Sequence, residues 1–141
     1  MKRTVFIDTN IALDFICSRA PFYRYSAELF SLAEKKKIII YISAFSIVAI
    51  HYILLKQSGK KTAGNILRQF RALIKILPID EQIIDLSIAS NFTDFEDAIQ
   101  YNCAISANIS VFITRDIKDY TNAKIPVMSA ENFLKKYNKN N

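Results

Sequence analysis

Three short stretches place carboxylates where chemistry can use them: Asp8-Thr9-Asn10, Asp94-Phe95-Glu96-Asp97, and Thr114-Arg115-Asp116 with Asp119 just beyond. The first and third follow apolar runs, Val5-Phe6-Ile7 and Val111-Phe112-Ile113. An apolar run that ends in an acid leaves a charge at the edge of a core, where it must find water, hydrogen bonds or a cation. Carboxylates brought together repel one another unless protonated or neutralised. A hard cation that prefers oxygen, Mg2+ or Mn2+, neutralises such a set. A site of that kind activates water and stabilises the charge on a phosphate under attack.

The elements that must position these acids follow from the hydrophobic pattern. Strands are expected over about 5–8, 38–42, 76–79, 111–114 and 126–128, where the runs are short, apolar and rich in strand formers. Helices are expected from near Asn10, then over about 25–36, 44–57, 60–75, 81–90, 94–107 and 130–137. Ser58-Gly59 reads as a helix stop, Asp80 as a cap, and Thr93-Asp94-Phe95-Glu96 as a capping box with Thr93 at the N-cap. Apolar strands alternating with amphipathic helices imply a mostly parallel sheet of four to five strands, covered on both faces.

In such sheets ligands bind outside the carboxyl ends of the strands. Asp8 and Asp116 lie at or just past two such ends. The helix opened near Asp94 runs antiparallel to the strand it feeds, so its N-terminus lies at the same edge. Asp94 and Asp97, three apart, share a face there. The acids are therefore expected to converge.

Bulk composition narrows the class. The 141 residues suit one domain, with 138–141 a fraying polar tail. Apolar residues make up 51%, which excludes a largely disordered chain, and 2 Gly and 3 Pro exclude a turn-rich sandwich. Cys17, Cys103 and a single His do not make a zinc site. They fit reduced thiols in a cytoplasmic protein. No signal peptide is legible. The uncharged stretch from Ile38 to Leu55 reads as strand, cap and buried helix rather than a membrane span.

The net charge of +6 favours a polyanionic partner. Lys60, Lys61, Arg68 and Arg71 share one face of a helix, and Arg115 lies beside an acid. These five are the candidate RNA contacts. Basic residues that hold a strand and acids that hold a metal together describe a nuclease.

Taken in order, Asp8-Thr9-Asn10, Asp94-Phe95-Glu96-Asp97-Ala98 and the stretch from Thr114 to Tyr120 resemble the PIN domain. The resemblance runs from about Thr4 to Lys135. It implies a three-layer α/β/α sandwich and a metal-dependent ribonuclease site. It also implies a homodimer that acts as the toxin of a toxin–antitoxin pair, held by a cognate antitoxin. By motif, Asp8, Asp97 and Asp116 are the catalytic acids and ligands of Mg2+ or Mn2+. Asp94 and Asp119 are outer or alternate ligands, and Asn10 and Thr114 orient them.

One departure stands out. The family usually carries a Glu on the helix after the second strand, about six residues beyond a Ser, and here Ala49 stands at that position. Asp94 or Asn10 would help the remaining acids hold one metal, and His51 could reach in as a substitute, although on a helix this apolar a structural role is the expectation. The alternative expectation is therefore a weak or inactive relative that binds RNA or protein. An aspartyl phosphotransferase is disfavoured, because Asn10 stands where a second Asp is needed.

Overall fold

A computed structural model describes residues 3–141. Five strands, all parallel, form one sheet in the order β3-β2-β1-β4-β5. They are β1 (Arg3–Ile7), β2 (Ile38–Ser43), β3 (Lys75–Leu77), β4 (Val111–Ile113) and β5 (Val127–Met128). The helices between them are α1 (Thr9–Ile16), α2 (Tyr23–Glu34), α3 (Ala44–Arg71), α4 (Glu81–Ile88), α5 (Phe95–Ser106) and α6 (Ala130–Asn140).

Strand alternation divides the core. Val5 and Ile7 point into a cluster with Ile11, Leu29, Phe30, Ile50 and Phe133, on the side of α1, α2, α3 and α6. Phe6 points the other way, into a cluster with Ile83, Ile99, Phe112 and Tyr120 on the α4 and α5 side. Phe6 and Phe112 stack with ring centroids 5.0 Å apart. The fold is thus an α/β/α three-layer sandwich.

The chain turns from β1 to β2 on one side and reaches β4 on the other. Its switch point is the crevice between the carboxyl ends of β1 and β4, where open α/β sheets bind ligands.

Gly59, with φ +80° and ψ 170°, kinks the span of α3 into two helices, at the stop that Ser58-Gly59 implies. Several expected boundaries move. The second half of α3 ends at Arg71, and β3 starts at Lys75 instead of 76, ending before Pro78. Asp94, not Thr93, is the N-cap of α5, so the expected capping box does not form. Asn138, Lys139 and Asn140 belong to α6 rather than to a frayed tail. A short 3-10 helix, Ile117–Tyr120, follows β4 and was not expected. Its Tyr120 ring packs 4.6 Å from that of Phe112, which ties the segment to the core.

The segment from Ile38 to Leu55 is β2 and the first half of α3. Among the described residues no helix is long and apolar enough to cross a membrane. Cys17 and Cys103 are both free thiols.

Candidate active site

Asp8 is the first residue past β1 and also the N-cap of α1. It is only 5% exposed. One carboxylate oxygen accepts the Ile11 amide at 3.0 Å, satisfying an otherwise orphaned helix donor. The other accepts the Thr114 hydroxyl. Thr114 directly follows β4, is fully buried, and takes the Asp116 amide on the same hydroxyl oxygen at 3.0 Å. One threonine therefore ties together two of the sequence-predicted acids.

Asp97 sits in the first turn of α5, half-buried. Burial pushes its carboxyl up to about 6, and the charges of Asp94, Asp119 and Asp8 add to that, against the pull of the Tyr120 hydroxyl. Asp8 is likewise pushed up to about 6, first by burial and then by the charge of Asp116. Hydrogen bonds from Thr114 and Ile11 and the charge of Arg115 oppose the rise. Asp8, just past β1, is joined through Thr114 to the backbone of Asp116 after β4, and its charge adds to the rise at Asp97 on α5.

The remaining acids lie at the rim. Asp116 and Asp119 are exposed, at the start and within the 3-10 helix. Asp94 is exposed and uses one oxygen to cap α5, accepting from the amides of Glu96 at 2.8 Å and Asp97 at 3.2 Å. Asn10 faces Arg19, whose guanidinium donates to it at 3.4 Å.

On the α3 side the site has no acid. Ser46 and Ala49, three apart, share that helix face. Ser46 is instead the hub of a neutral chain. Its hydroxyl meets Thr9 at 2.7 Å, Ser43 at 3.2 Å and the Gln100 side-chain oxygen at 3.5 Å. Gln100 lies one turn beyond Asp97 on α5, so the chain bridges α1, α3 and α5 beside the carboxylates.

The donor set is oxygen-only and negative, which fits a hard divalent cation in kind. Two carboxylates held near 6 by desolvation and neighbouring charge are what such a cation relieves. Among the described residues no three His, Cys, Asp or Glu side chains already form a compact metal cage. A cation would therefore draw on the exposed Asp116 together with Asp8 and Asp97, and on water.

The predicted basic contacts separate. Lys60, Lys61 and Arg68 line one cleft with His51, Gly64 and Asn65, beside the bend at Gly59. His51 thus faces this basic cleft and does not replace the missing acid. Arg71 lies elsewhere, donating to the Ile74 carbonyl at 2.9 Å. Arg115 is committed to a buried partner, Asp14, and stacks over the Phe22 ring at 4.1 Å.

Asp14, Tyr120 and the Ser46 hub were not singled out from the sequence. Asp14 did leave a trace, a lone charge amid Ile11, Leu13, Phe15 and Ile16 on a short apolar helix. Tyr120 and Gln100 left none.

Comparison with known proteins agrees with this fold. A 25% identical relative is Ribonuclease VapC1 of Aquifex aeolicus, aligned over 139 residues and 95% of each chain. A toxin–antitoxin complex from Klebsiella pneumoniae matches with TM-score 0.70 at 21% identity, over 89% of this chain and 97% of that one. DNA-bound VapBC from Salmonella typhimurium matches with TM-score 0.70 at 16% identity, over 92% and 99%. The model of the PIN domain family matches residues 4–118, from β1 into the 3-10 helix and so across every acid at this edge except Asp119. With strand order, switch-point acids and family match in agreement, this chain belongs to the PIN domain family.

Proposed function

We propose that this chain is a divalent-metal-dependent endoribonuclease and the toxin of a toxin–antitoxin pair. The observation that carries the reading is the pair Asp8 and Asp97. They come from β1 and α5, sit at the sheet's switch point, and are both pushed up to about 6 by burial and neighbouring acids. The VapC1 relative and the toxin–antitoxin neighbours support the biological assignment, with an antitoxin as partner; a second copy of the chain is the further partner that the family resemblance implies.

Asp8, Asp97 and Asp116 would hold Mg2+ or Mn2+, with Asp94 and Asp119 at the rim. The bound cation supplies Lewis acidity toward a phosphate oxygen and a lowered pKa for its water. The chain's own residues do the rest. Thr114 fixes the orientation of Asp8 and holds the Asp116 backbone beside it. Ile11 and the α1 N-terminus favour the ionised Asp8 that a cation needs. Lys60, Lys61 and Arg68 bind the phosphate backbone of an RNA strand. Their cleft begins at His51, about 7.5 Å of helix rise from Ser46 at the acidic edge.

The test is cleavage of single-stranded RNA with Mn2+. Wild-type protein cleaves and Asp8→Asn does not; cleavage untouched by that substitution would sink the assignment.

One observation favours a second reading, an RNA-binding protein with little turnover. The α3 face carries Ser46 and Ala49 where an acid would complete the set. That reading expects RNA binding to persist while Mn2+ produces no thermal stabilisation.

A further inference from the structure

Asp14 is fully buried, at 0% exposure, and takes no part in the acidic edge. Two arginines converge on it. Arg115 donates from Nη2 to one oxygen at 3.2 Å, and its Nε stands 3.1 Å from the other, out of line for a hydrogen bond. Arg19 approaches to 4.0 Å. Such a group is neither a helix cap nor a metal ligand, and a buried charge is expensive unless it is paired.

Arg115 is the residue whose freedom is at stake. It lies between Thr114 and Asp116, both bound into the site, and its charge already acts on Asp8. A guanidinium is a preorganised fork for carboxylates. Released in this position, it would meet the same oxygens that a cation needs. Instead it is turned toward α1 and laid over Phe22.

We propose that Asp14 is a positioning residue that holds Arg115 off the acidic edge, leaving Asp8 and Asp116 open to a divalent cation. The inference rests on the metal-binding reading above. It differs from a plain structural staple between α1 and the β4 end. A staple needs both partners, whereas a restraint on Arg115 becomes superfluous once Arg115 is gone.

That difference defines the test: Mn2+ titration calorimetry on wild type, Asp14→Asn, Arg115→Met and the double variant, with a thermal melt of each. Asp14→Asn weakens Mn2+ binding by about tenfold or more, the scale of one unit charge acting across a few ångströms. Arg115→Met leaves binding intact, and the double variant returns to within about threefold of it. A double variant as weak as Asp14→Asn, or an unaffected Asp14→Asn, overturns the proposal while the metal reading stands. Wild-type protein that takes up no Mn2+ overturns both. If Asp14→Asn does not fold, because two guanidiniums face a neutral amide, the double variant is compared with Arg115→Met. Their affinities agree if Asp14 acts through Arg115, and a gap of about tenfold between them refutes it.

Discussion

The Thr114 hydroxyl donates to the Asp8 carboxylate across the gap between β4 and β1, and the same oxygen accepts the amide of Asp116. A single buried side chain thereby joins the two central strands at the point where the acids meet. Thr114→Val keeps the shape and removes both bonds. The loss of a buried, charge-assisted bond is expected to lower stability by about 1.5–3 kcal/mol in chemical denaturation. Because that bond lowers the Asp8 pKa, the variant also needs a higher pH for half-maximal Mn2+ binding. Thr114→Ser should restore most of both.

The raised carboxyls make a prediction about pH with a definite sign. The folded pKa of Asp8 and of Asp97 is about 6, above the ordinary 3.8. Between those values the folded chain binds more protons than the unfolded one, so these two groups favour folding more as pH falls from about 7.5 toward about 4. In EDTA the melting temperature of wild type should therefore gain from this pair on going from about pH 7.5 to about pH 5. Asp8→Asn, which carries no charge there, should be more stable than wild type at the higher pH and lose that advantage at the lower. An advantage of Asp8→Asn that is the same at both pH values would contradict the assignment.

The basic cleft separates RNA affinity from chemistry. Lys60→Ala, Lys61→Ala and Arg68→Ala should each weaken binding to single-stranded RNA and reduce the salt slope by roughly 0.7 for every phosphate left without its cation. Mn2+ binding should be unchanged, because these residues line a separate cleft. Arg71→Ala should leave the salt slope alone, since its guanidinium is engaged with the Ile74 carbonyl.

Gly59 bends α3 with φ +80° and ψ 170°, a conformation that side chains avoid. A Cβ there would meet nothing within 4 Å, so the penalty of Gly59→Ala is conformational rather than steric. A loss of about 1–3 kcal/mol is expected in denaturant unfolding. RNA affinity should fall with it, because Lys60 and Lys61 follow the bend directly.

Much of the architecture was legible because it is written in local pattern. Apolar triplets such as Val5-Phe6-Ile7 and Val111-Phe112-Ile113 read as buried parallel strands. Asp80 read as a cap and Gly59 as a break, since backbone geometry there depends on one residue, a capping carboxylate in the first case and a missing Cβ in the second. The boundaries that moved lie where local signals compete. Thr93 and Asp94 are both good caps, and the chain uses the carboxylate. The polar residues after Tyr137 continue α6 because Phe133 and Leu134 already anchor that helix in the core.

Local sequence was enough to show that carboxylates end apolar strands and open a helix, and that no acid stands between Glu34 and Asp80, which the family resemblance turns into a gap at Ala49. Which groups touch was settled by packing alone. Strand order β3-β2-β1-β4-β5 puts β1 beside β4, and that adjacency lets Thr114 reach Asp8. The same adjacency brings Arg115 to Asp14, which turns an expected RNA contact into the partner of a buried acid. Pairings between residues a hundred positions apart carry no local signature, because they depend on how the strands are ordered rather than on any stretch of chain.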